Sequence, residues 1–195
     1  LRDRKIGVYY CGEYGEKLGR PHYHLCLFNL DFPDKKRRYV KKGFTYYDSD
    51  LIRDLWPFGY HVLSSFSFDT AAYVARYVTK KIYGANADDH YGDKSPEFCG
   101  MSTKPAIGRN WIEKFGMTDV FHEDCVVIDG KKVTPPRYYD KYLESIDPDM
   151  YKCVKERRVE KAKKYQHDNS WDRLLTKAKC IENRVRLLTR ELECA

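Results

Sequence analysis

Two short apolar runs set close together limit this chain more than any other feature. Residues 5–11, KIGVYYC, are rich in β-branched and aromatic side chains and read as a strand. HYHLCLFNL, residues 22–30, reads as a second. Only a Gly-containing turn region separates them, so they are most simply an antiparallel hairpin with a long loop. The period of two along a strand then decides which side chains meet. His22 and His24 project from one face, while Tyr23 faces the other way. Glu13, at the end of the first strand, can be brought beside them by the hairpin. Two imidazoles and one carboxylate are what a divalent metal binds.

His-x-His alone would be no more than two surface histidines in a strand. A cupin needs a carboxylate about four residues later, where this chain has Phe28 and Asn29. An iron facial triad more usually shows His-x-Asp/Glu with a distant histidine. A glutamate that precedes His-x-His across a hairpin is a different arrangement.

Further along, DTAAYVARYVTKKIYG carries helix punctuation: Asp69 or Thr70 at the start, basic residues in the last turn and Gly84 at the end. Tyr73 and Tyr77 are four apart and share a face of this helix, with Lys80 one turn beyond. In isolation that pattern reads equally as an aromatic stripe packed into a core. A tyrosine that forms a phosphodiester needs a metal to polarise the phosphate and a cation to ease loss of a proton with a pKa of about 10. The sequence supplies both kinds of group.

The remaining elements are read more coarsely. DFPDKKRRYVKKG (31–43) reads as a basic loop, LIRDLW (51–56) as a short helix stopped by Pro57, and YHVLSSFSF (60–68) as a third strand. Residues 84–110 read as loop, and DCVVIDGKKVTPP as a hairpin around Asp129-Gly130. Beyond Pro148 the chain becomes charged helix. Leu174, Ala178, Ile181, Val185, Leu188 and Leu192 form a helical stripe there, read first as packing against the preceding helix or the domain and second as a dimer seam.

Charge and cysteine content narrow the function classes. The net charge of +7 and the 17 tyrosines suit nucleic acid, since cations neutralise phosphates and flat rings stack on unpaired bases. Seven cysteines, an odd number with no CxxC pair, read as mostly reduced thiols in an intracellular protein, and a cysteine zinc site is disfavoured. No run approaches the roughly 18 apolar residues of a membrane helix, so no membrane is expected. The chain starts at Leu1 rather than Met, which reads as a fragment or a processed product.

These residues carry a resemblance. PHYHLCLF resembles the His-hydrophobic-His motif of the HUH endonucleases, YVARYVTKK their two-tyrosine motif, and GEYG the glutamate ligand of the branch found in circular single-stranded DNA viruses. CGEYGEKLGRPHYHLCLFN, LWPFGY, AAYVARYVTKK, MSTKPAIGRNW and PPRYYDKYLE together are similar to the replication initiators of gokushovirus-type microviruses. The family's upstream strand would lie before Leu1.

The resemblance implies a ferredoxin/RRM-like α+β fold, with the histidines on a central strand of an antiparallel sheet and a C-terminal helical extension. It implies a nuclease domain over residues 1–146 and a helical region over 147–195. It also implies Mg²⁺ or Mn²⁺ held by Glu13, His22 and His24, nucleophiles Tyr73 and Tyr77, and Lys80 as the activating cation. Lys81, Lys104 and Arg109, the last two in the basic stretch 102–111, are candidate contacts to single-stranded DNA, as is the stretch 35–42; a charge run is also commonly a solvated loop. The expected activity is rolling-circle nicking and joining at a viral origin in the cytoplasm of the bacterial host, with the host helicase and polymerase as partners. A related transposase or relaxase, or a module that binds single-stranded DNA without cutting it, are the alternatives.

Overall fold

The structure, a computed structural model, describes residues 5–15, 18–77 and 81–187. It is α+β and divides into two compact units, Leu1–Ile107 and Gly108–Ala195. In chain order the first unit runs β1 (Gly7–Tyr14), β2 (Pro21–Phe28), β3 (Lys36–Lys41), β4 (Phe44–Asp48), α1 (Asp50–Leu55), β5 (Leu63–Ser64), α2 (Phe68–Ala75), α3 (Asn86–Tyr91) and β6 (Phe98–Met101).

The expected hairpin is present: β1 and β2 pair antiparallel from Gly7 opposite Phe28 to Tyr14 opposite Pro21. β6 pairs along the other side of β1, again antiparallel, to give the order β2-β1-β6. The strand in the middle is therefore β1. The histidine strand β2 is expected there, but among the described residues it lies at an edge. One face of the sheet packs on α2 through Cys11, Cys26, Val74 and Tyr77, all buried. Burial of these apolar groups is what holds the helix to the sheet.

Three sequence readings in this unit are corrected. Residues 31–43 are not a plain loop: β3 and β4 form a second hairpin, closed by Lys42 and Gly43, both at positive φ (50° and 81°). The region 60–68 yields only the two-residue β5, which pairs with β4 rather than with the histidine sheet. It stops because Ser67 starts α2. The Ser67 hydroxyl accepts from the Thr70 amide, and the Thr70 hydroxyl accepts from the Ser67 amide, a reciprocal cap that begins ahead of the expected Asp69 or Thr70. Residues 84–110 contain α3 and β6; four residues of strand with a glycine among them give little period-two signal.

The second unit runs α4 (Arg109–Phe115), a π-helical turn (Gly116–Val120), β7 (Val126–Ile128), β8 (Lys131–Val133), α5 (Arg137–Ile146), α6 (Pro148–Lys164), a 3-10 turn (Gln166–Asn169) and α7 (Trp171–Arg186). The hairpin around Asp129-Gly130 forms as read, with φ of 49° and 74°. Ile112, Val120, Phe121, Leu143 and Val154 make the core. Leu143 of α5 and Val154 of α6 thus share one interior, and the break after residue 146 falls between two helices of one unit. Arg158 ties it further, with hydrogen bonds to Asp124 (2.5 and 2.7 Å) and Asp140 (both 2.9 Å).

The stripe on α7 does not pack on the preceding helix. Leu174, Ile181 and Val185 are exposed; Leu188 and Leu192 lie outside the described residues. Among the described residues no helix is long and apolar enough to cross a membrane.

Candidate active site

Register alone places the first set of groups. Glu13 lies opposite His22 and Cys11 opposite His24, so all four side chains rise from the face of the sheet that carries α2. Glu13 is buried, and a buried carboxylate needs a partner. It has one in His24, whose Nε2 lies 3.1 Å from Glu13 Oε1. His22 is exposed, and its ring lies over Gly15, where an added Cβ would stand 2.5 Å from Cε1 and 2.9 Å from Nδ1. Glycine at position 15 leaves the space that the imidazole uses.

The structure therefore brings Glu13 and His24 into contact and keeps His22 one register position away. Among the described residues no three donors converge into a group that could hold a metal ion. The donor set nevertheless suits Mg²⁺ or Mn²⁺: a carboxylate oxygen for a hard cation, and two imidazole nitrogens that favour Mn²⁺.

The helix supplies the second set. Tyr77 stacks on the His24 ring at 4.3 Å between centroids with 16° between planes, and Tyr73 meets the same ring edge-on at 6.3 Å. The Tyr77 hydroxyl donates to the Tyr73 hydroxyl, and the two rings are perpendicular with centroids 5.2 Å apart. Tyr77 is thus a core residue and a neighbour of His24 at once, so the two readings of the tyrosine pair are not exclusive at the level of packing. Helix α2 ends at Ala75 and a 3-10 turn carries the chain through Tyr77. Lys80 lies outside the described residues. Lys81 is half-buried, with its ammonium 5.4 Å from the Tyr83 ring centroid.

Two neighbours were not singled out from the sequence. Arg76 places its guanidinium 5.6 Å from the Tyr73 ring centroid, and its i+3 spacing from Tyr73 was the signal available. Cys11 sits opposite His24 with its Sγ 3.8 Å from the Val74 carbonyl. Burial, reinforced by the Glu13 charge, pushes its thiol up to about 12. Cys11 thus stays neutral beneath the site. The chain after the tyrosines is pinned by Tyr91, whose hydroxyl accepts from the Ile82 amide and donates to buried Glu97.

The candidate DNA contacts are dispersed. Lys104 is an exposed residue of the first unit. Arg109 belongs to the second, where Glu113 pairs with it and the Tyr142 ring lies 5.0 Å beneath it. In the basic stretch 35–42, Lys35 pairs with Asp31 (2.6 Å), Lys36 with Asp50 (2.7 Å) and Arg38 with Asp48 (3.9 Å).

Comparison with known proteins agrees with this arrangement. Residues 1–82, which contain Glu13, both histidines and both tyrosines, match the family of replication-associated proteins typified by ORF2. Over 141 residues the chain is 39% identical to Replication-associated protein VP4 of Bdellovibrio phage phiMH2K, covering 72% of this chain and 44% of that protein. It is 31% identical to Replication-associated protein ORF2 of Spiroplasma virus 4, covering 96% and 62%, and 26% identical to Replication-associated protein ORF4 of Chlamydia phage 1, covering 79% and 41%. The chain thus spans between 41% and 62% of the length of these relatives. No solved structure matches it.

Proposed function

We propose, from the premise that this chain belongs with the replication-associated proteins of microvirus-type phages, that it starts rolling-circle replication by nicking and rejoining single-stranded DNA. The observation that carries the reading is the joining of the two sets of groups. Two phenol oxygens in hydrogen-bond contact lie against the imidazole that holds the buried carboxylate.

In the cutting step one phenol loses its proton and its oxygen bonds to the 5′ phosphate. The P–O3′ bond breaks, and the departing oxygen takes up a proton to become the 3′-OH that a host polymerase extends behind a host helicase. The phosphotyrosine keeps the energy of the bond, so rejoining needs no nucleotide. The second tyrosine cuts the regenerated origin and the freed 3′-OH closes the circle.

Glu13, His22 and His24 are the residues that would hold Mg²⁺ or Mn²⁺, whose chemistry is to polarise the scissile phosphate. Glu13 orients the His24 ring, and the ring supports Tyr77 from below. Lys80 is assigned the stabilisation of the phenolate; Lys81, Lys104 and Arg109 are assigned to the DNA backbone. The protein would act in the cytoplasm of the bacterial host.

Phenylalanine removes the phenol oxygen and keeps the ring. In the full-length protein, Tyr73→Phe and Tyr77→Phe should each leave a covalent adduct on an origin oligonucleotide through the other tyrosine, and the double variant should form none while still binding DNA. Undiminished cleavage by the double variant would remove both tyrosines from the chemistry.

A further inference from the structure

The face of the sheet opposite α2 has no part in the site just described, and it is aromatic. Tyr10 and Gly12 of β1, Tyr23 and Leu25 of β2, and Phe98 and Gly100 of β6 share it by register. The rings form a chain: Tyr10 meets Phe98 at 6.3 Å, Phe98 meets Tyr23 at 6.4 Å, Tyr23 meets Trp56 at 5.3 Å, and Trp56 meets Phe58 at 5.3 Å. All five are exposed, from 39% for Trp56 to 80% for Phe58. Interplanar angles of 51° to 76° mean that the rings touch by their edges and do not use up one another's faces.

Two glycines make this layer possible. A Cβ at Gly12 would stand 2.5 Å from Phe98 Cε1, and one at Gly100 would run into the Tyr10 ring. The rings lie directly on the backbone of the neighbouring strand. Beyond Gly12 on the same face, Tyr14 carries the ammonium of Lys94 at 5.5 Å from its ring centroid, and exposed Arg20 precedes its register partner Pro21.

Exposed apolar area of this extent marks an interaction surface. Open ring faces flanked by cations select among the possible occupants. An apolar protein segment would gain nothing from Lys94 or Arg20, whereas unpaired bases offer flat faces to the rings and phosphates to the cations. A duplex hides its base faces and cannot use the rings. We propose that Tyr10, Tyr23, Phe98 and Trp56 form a stacking platform for the bases of single-stranded DNA, with Lys94 at its border. The choice of DNA rests on the proposed nicking function. β2 has its histidines on one face and Tyr23 on the other, so a strand that leaves the scissile phosphate and passes the β2 edge arrives at Tyr23 and the platform.

The test uses full-length protein carrying Tyr73→Phe and Tyr77→Phe, without divalent metal, and a labelled 15-nucleotide oligo(dT). Replacing Tyr23 and Phe98 together by leucine should weaken binding roughly 5- to 100-fold, the range of one to two lost stacks, and leave the slope of affinity against salt unchanged. The oligonucleotide, but not a duplex of equal length, should quench tryptophan fluorescence, and Trp56→Leu should abolish that quenching even if the double leucine variant fails to fold. Unchanged affinity in a folded variant, or no quenching, overturns the platform. So does protection of Trp56 and Phe98 from hydroxyl-radical oxidation before DNA is added, which would show another protein surface to be the occupant. These readouts need no catalysis, so loss of the nicking reading through the adduct assay and loss of the platform are separate results.

Discussion

A phenol holds its proton until pH 10 or so, and a single hydroxyl on a helix says nothing about chemistry. Tyr73 and Tyr77 differ from ordinary core tyrosines because their oxygens meet each other beside His24. The positions of Glu13, His22 and His24 were legible because a strand's period is two and a hairpin fixes its partner. The orientation of His22 was not, since it depends on the absent side chain of Gly15. Arg76 escaped notice because a single arginine at i+3 is common on helix surfaces. If the three residues hold a metal, calorimetric titration with Mn²⁺ should lose its heat signal in His22→Ala and in His24→Ala, with circular dichroism unchanged. Glu13→Ala should be weaker still to the metal and also less stable, because it leaves His24 without its carboxylate. Parent-like Mn²⁺ affinity in both histidine variants would reassign the cluster to packing.

At the scale of elements, turn and cap chemistry decided what could be read. Asp129-Gly130 announced its hairpin because aspartate and glycine tolerate positive φ, whereas Lys42-Gly43 adopts the same geometry with a lysine that signals nothing. β3 was therefore read as loop, its hidden pattern further broken by the register shift between Arg37 and Tyr39. The start of α2 was misplaced by two or three residues because threonine stands where a capping box more often has glutamate. Ser67→Ala should cost about 1 kcal/mol in urea denaturation, within the usual range for a lost N-cap. Ser67→Gly should cost only a few tenths. Equal stability of Ser67→Ala and the parent would show that the helix start is set by packing on β1 and β2 instead. The exposed stripe on α7 has a similar lesson: a regular 4-3-4 spacing specifies a helix without specifying what covers it.

For the whole molecule, charge is the property that composition reported and structure redistributes. The chain carries +7, yet the cations of Lys35, Lys36 and Arg109 are already paired with carboxylates. Affinity for single-stranded DNA should fall with salt by a log–log slope of roughly 0.7 per phosphate contact. Lys104→Ala should flatten that slope, and Arg109→Ala should change it less, because Glu113 competes for the guanidinium. A larger change from Arg109 would mean that DNA displaces the carboxylate. The α+β class was legible from the hairpin and helices, while the division at Ile107 and Gly108 was not. Gly108 sits at φ 80° with no room for a Cβ beneath the Tyr139 hydroxyl, a local fit that no composition shift advertises. The alternation along β2 also has a genetic corollary. Substitutions there act one side chain at a time, but a single codon gained or lost within residues 21–28 would turn the histidines outward beyond that point and bring Tyr23 or Leu25 under α2. This segment should therefore accumulate replacements over phage generations while purging insertions and deletions.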